Sequence, residues 1–153
     1  MVNIDEFKTP PQNLEAEKWV ISWIFLDNEI MWVYEWDRLA PEDFYQKSHQ
    51  FIYAAIKKLR TDRKTIDVVT VWNQLTKDGN MDFIWWLDYL YELSTFLLTT
   101  SWCSEYSKIV KDQSILRNMK LNVEIQNLDL KKLQEIFQML VKMLVKILML
   151  MVS

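Results

Sequence analysis

Apolar residues along most of the chain recur three and four positions apart, the spacing of a helix with one buried face. Pro10 and Pro11 stop earlier structure, and Asn13 is placed to cap a helix from Leu14 to about Leu26, apolar on most sides after Lys18. A second helix is expected from Asp27 or Asn28 to about Leu39, with Ile30, Val33 and Tyr34 turned inward. Pro41 followed by Glu42 and Asp43 suits a short helical turn, PEDFY, because proline and acidic groups both favour a helix N-terminus. Ser48 is the expected cap of the next helix, whose Ile52, Ala55, Ile56 and Leu59 share a face opposite Lys57, Lys58 and Arg60. Asp67 caps another, carrying Val68, Val71, Trp72 and Leu75, and Asp78-Gly79 supplies the left-handed residue that ends it. Ile84 to Leu93 reads as a further helix. Thr100 or Ser101 caps one in which Tyr106, Ile109 and Val110 face inward. Nothing alternates with the period of a sheet; Ile66 to Val71 is β-branched, but its cap and spacing select helix. The fold class is all-α.

Beyond about Met119 the pattern changes. Leu133, Phe137, Leu140, Leu144, Ile147 and Met151 are separated by alternating steps of four and three, the seam of a coiled coil or helical hairpin, which implies a partner helix. Lys142 and Lys146 interrupt the apolar run and leave the remainder too short for a bilayer span; a packed helix is favoured over an interfacial one. The chain therefore divides into an extension, 1–12, a helical domain, 13–118, and a C-terminal helical segment, 119–153.

The 153 residues suit one domain of ordinary size. A net charge of -3 provides no surplus of cations for a phosphate backbone, so any DNA contact is expected to be indirect. Met1 to Pro11 has no apolar core of a leader, and Cys103 is the sole cysteine, which point to the cytoplasm and exclude an internal disulfide or a cysteine pair for a metal. A phosphate-cradling loop needs several glycines, and Gly79 stands alone. No ATP, magnesium or other cofactor site is expected, and no catalytic residue is assigned. His49, the single histidine, follows the Ser48 cap and reads as a first-turn surface or half-buried residue rather than a base. The acidic pairs Glu15/Glu17 and Glu42/Asp43 read as solubility or first-turn groups.

A series of strings in a fixed order adds to this. PQNLEAEKWVIS, IFLDNEIM, LAPEDFYQKSHQFIYAAI, TIDVVTVWNQL, WWLDYLYEL and EYSKIVKDQSILRNM, together spanning Pro11 to about Asn118, resemble the N-terminal domain of DnaB-type replicative DNA helicases. The resemblance implies a compact orthogonal helical bundle, then a helical hairpin through which subunits pair in a ring. It also implies a non-catalytic platform that engages other helicase subunits and a DnaG-type primase, with ATP hydrolysis left to a RecA-like domain downstream. An independent adaptor regulating helicase or primase assembly is the alternative. The sequence departs from the family in two places. The tail after Asn118 does not look like the family's hairpin, as a shifted or shortened reading frame would produce. Trp85-Trp86 stand where the family has Gly-Gly, and Trp23 where it commonly has a small residue. One glycine and eight tryptophans, against about ten glycines in an average chain of this length, suggest that most of these tryptophans are glycines read from UGA codons.

Overall fold

The computed structural model describes residues 9–29, 38–80, 86–97 and 103–152. Five α-helices account for most of them, with no strand among the described residues. Helix α1, Leu14–Leu26, starts where the Asn13 carboxamide oxygen accepts from the Ala16 amide at 3.0 Å. The expected second helix and its stripe of Ile30, Val33 and Tyr34 lie outside the described residues. Pro41–Asp43 forms a 3-10 turn. Helix α2 is Lys47–Thr61, α3 is Val68–Lys77, α4 is Trp86–Thr95 and α5 is Cys103–Val152.

Asp67 caps α3 reciprocally with Thr70, each side chain reaching the other's amide. Gly79, at φ 75°, then closes α3: its own amide donates to the Thr76 carbonyl and the Asn80 amide to that of Leu75. The same closure ends α2 without a glycine. Arg63, at φ 54°, donates to Arg60 while Lys64 donates to Leu59, so an arginine holds a left-handed conformation that favours glycine.

The chain separates into two compact units, 1–116 and 117–153. Within the first, the head, α1 packs on α2 and α4, α2 on α3 and the 3-10 turn, and α3 on α4. This closed circuit buries Val20, Ile21, Trp23 and Ile24 of α1 against Ile52, Tyr53, Ala55 and Ile56 of α2, Val71 and Leu75 of α3, and Leu90 and Leu93 of α4. Val110 of α5 joins the core, and Tyr106 and Ile109 pack against it half-buried. Every apolar stripe assigned to α2 and α3 faces this core, with Trp72 at its margin.

The start of α2 differs from expectation. Ser48 does not cap it; the helix begins at Lys47, and the Ser48 side chain is buried inside the first turn. The two amides just ahead of the helix are instead held by a residue far upstream.

The second unit, the tail, is the remainder of α5. It is one uninterrupted helix with no turn in it, so of the helix or hairpin expected here the chain forms the helix.

Candidate functional site

That upstream residue is Glu17. Its carboxylate accepts from the amides of Tyr45 at 2.6 Å and Gln46 at 3.3 Å, and lies 2.7 Å from Nδ1 of His49. A carboxylate only accepts, so the Nδ1–H of His49 donates to it. The other ring nitrogen, Nε2, is 2.6 Å from the Tyr89 hydroxyl. Burial first, and then the negative charges of Glu92, Glu17 and Glu15, push the Tyr89 phenol well above its ordinary range and keep it protonated. His49 is 0 % exposed and Glu17 1 %. Helices α1, α2 and α4 are thereby joined through one buried polar chain.

Glu17 and His49 lie in the first turns of their helices, as expected, but both are buried where solvated or half-buried positions were expected. Glu17 falls in register with Val20, Ile21 and Ile24, the buried stripe of α1, and that register was the available signal that it points inward. Both nitrogens of His49 are engaged inside the head.

Asp43 is buried in the same way. One carboxylate oxygen accepts from the Ala40 amide and from Lys111 Nζ, both at 2.8 Å, and the other from the Ser114 hydroxyl at 2.7 Å. Burial alone raises a carboxyl pKa; here the donors Ala40, Lys111 and Ser114, with the Lys111 charge, outweigh it and hold Asp43 below the usual carboxylate range. Lys111 and Ser114 belong to the first part of α5, so this contact fastens that segment to the head. Glu42, its neighbour, is exposed, as expected for an acidic first-turn residue.

An aromatic group lies beside this framework. The Trp19 ring is 5.3 Å from those of Trp23 and Tyr106, the latter stacked, and 5.4 Å from Phe96 edge-on. Trp23 is 0 % exposed. The aromatic residues thus serve packing between α1, the end of α4 and the start of α5. Among the described residues no group of three His, Cys, Asp or Glu side chains is arranged to hold a metal.

The tail presents the opposite surface. Leu133, Phe137, Leu140, Leu144, Ile147 and Met151 fall along one side of α5 and are each more than half exposed, Phe137 at 68 % and Met151 at 77 %. Among the described residues no helix is long and apolar enough to cross a membrane.

Comparison with known proteins places these features. Residues 9–112 match the model of the DnaB-like helicase N terminal domain. The chain is 34% identical over 119 residues to the replicative DNA helicase DnaC of Bacillus subtilis (strain 168), covering 78% of this chain and 26% of that protein. It is 34% identical over 112 residues to the replicative DNA helicase DnaB of Geobacillus stearothermophilus, covering 73% and 24%. The crystal structure of the N-terminal domain of DnaB helicase from Mycobacterium tuberculosis superposes with a TM-score of 0.65 at 32% identity, over 72% of this chain and 80% of that one. The chain spans about a quarter of the length of the full-length relatives it matches.

Proposed function

Because this chain belongs to the DnaB-like helicase N-terminal domain family, we propose that it acts in DNA replication as the non-catalytic head of a replicative helicase, holding subunits together and docking a DnaG-type primase in the cytoplasm. The observation that carries this reading is the match over residues 9–112 together with the shared helical fold. The physical character of the head agrees with it. Its polar side chains at Glu17, His49 and Asp43 are committed to other side chains and backbone groups of the head, which favours a rigid head. Its one glycine closes a helix, leaving no glycine-rich loop among its residues to approach a phosphate. ATP and magnesium, in this reading, belong to a RecA-like motor, and DNA is met only through that motor.

The test is light scattering during size-exclusion chromatography of the purified chain, alone and mixed with the DnaG-type primase of the same cell. Co-elution with primase, without ATP turnover, is the expected result. A chain that binds neither primase nor the full-length replicative helicase, or that hydrolyses ATP, ends the proposal.

A further inference from the structure

The composition of α5 changes at Glu135. Ahead of it, charged residues of both signs, Lys120, Glu124, Asp129, Lys131 and Lys132, are mixed with the apolar ones. From Ile136 to Val152 the polar residues are Gln138, Lys142 and Lys146, and no acidic residue occurs. These three are spaced four positions apart, so at 3.6 residues per turn they share one side of the helix within about 80° of arc.

Every other side of this stretch is apolar. The seam through Phe137, Leu140, Leu144, Ile147 and Met151 lies opposite the lysines. Val141, Val145 and Leu148 on one flank, and Ile136, Met139 and Met143 on the other, are exposed as the seam is. That distribution decides what fits. A partner helix covers the seam and leaves both flanks in water. The boundary between lipid headgroups and acyl chains covers an apolar arc of about 280° and leaves a narrow polar strip outward.

Length and the lysines set the orientation. The stretch is about 25 Å long at 1.5 Å per residue, short of a hydrocarbon core of about 30 Å, and among the described residues no helix is long and apolar enough to cross a membrane. Upright, it would place Lys142 and Lys146 near mid-bilayer, where a charge is unfavourable. Lying flat, both ammonium groups reach headgroup phosphates on their flexible stems while the seam points into the acyl chains. With two cations and no acid on that strip, the complementary surface is an anionic one.

We infer that residues 136–152 form an interfacial helix that lies along an anionic lipid membrane, with the side of Gln138, Lys142 and Lys146 toward the headgroups. The inference goes beyond the reading of the chain as a helicase head and does not rest on it.

The test is flotation of the full chain with vesicles. The chain should rise with mixed phosphatidylcholine and phosphatidylglycerol vesicles and bind pure phosphatidylcholine at least about tenfold more weakly. Lys142→Gln with Lys146→Gln should weaken binding to the mixed vesicles by about fivefold per lysine. Leu144→Asp with Ile147→Asp should abolish it while the head unfolds as before. In a Cys103→Ser background, a nitrobenzoxadiazole label on Leu144→Cys should shift to the blue on binding and be quenched by lipids that carry a quencher on the acyl chain. The same label on Gln138→Cys should respond far less. The inference is overturned by a chain that stays at the bottom of the gradient with anionic vesicles, by binding that ignores both the lysines and the lipid charge, or by equal quenching at the two labels. A soluble oligomer held through residues 136–152 and not taken up by vesicles overturns it as well, since the occupant is then protein. A chain that leaves vesicles unbound yet co-elutes with primase removes this inference alone and leaves the proposed function standing.

Discussion

Head and tail are built from the same apolar residue types, yet the head buries them and the tail leaves them in water. The difference lies in the punctuation of the chain. The head is divided into helices of 10 to 15 residues that fold back and cover one another, with Pro10 and Pro11 ahead of α1, Pro41 ahead of α2, and Arg63 and Gly79 closing α2 and α3. After Gly79 there is no glycine or proline, and from Cys103 to Val152 the chain runs as one helix. A domain closes on itself only where the backbone is allowed to turn.

The comparison breaks most visibly at Trp23. Trp23→Ala should destabilise the head by about 3–5 kcal/mol, the range for an enclosed aromatic, whereas Leu140→Ala in the tail should shift the head's unfolding by less than about 0.5 kcal/mol; chemical denaturation followed by circular dichroism measures both. The expectation of recoded glycine bears on the same site, because the head as described is packed around that indole. UGA at the codons for Trp23, Trp85 and Trp86 would meet that expectation, and UGG would end it.

Next in size is Glu17. Glu17→Ala removes the acceptor shared by two amides and an imidazole inside the head. A loss of about 2–3 kcal/mol is expected, with Glu17→Gln losing less because one acceptor oxygen remains. The tail should again be indifferent, with its helical circular-dichroism signal unchanged below the unfolding transition of the head.

A smaller effect comes through pH. Asp43 titrates below its unfolded value, so the stability it contributes is present above the ordinary aspartate range and is lost as pH falls through the folded pKa. Thermal unfolding of the native head should therefore weaken on acidification below about pH 4. Asp43→Asn should start lower at neutral pH and respond less over that window. A variant with the full acid response of the parent would place the sensitivity elsewhere.

The smallest predicted change is a gain. Arg63→Gly relieves a left-handed arginine at the end of α2 and should stabilise the head by about 0.5–1 kcal/mol in the same denaturation experiment. Gly79→Ala, at the matching position of α3, should lose a similar amount. No atom crowds the added carbon there, so the backbone conformation alone is responsible.

Local signals carried much of this fold. The Asn13 and Asp67 caps, the Gly79 closure and the stripes of α2 and α3 depend on groups within four residues of each other, and short-range sterics and hydrogen bonding decide them before any packing occurs. The seam on α5 was legible for the same reason, since its period is a property of one helix. The start of α2 and the burial of His49 and Asp43 were not. Their partners lie 28 to 71 residues away, and a carboxylate looks the same in a sequence whether it ends in water or among donors.

By itself, the sequence determined which of the described segments coil into helices, where most of those helices stop, and that one long stripe recurs at heptad spacing along the last of them. Tertiary structure alone decided that Glu17 rather than Ser48 holds the start of α2, that Asp43 fastens α5, and that Arg63 takes a glycine's conformation. Each of those choices is made by desolvation and by donors brought together only when distant segments pack.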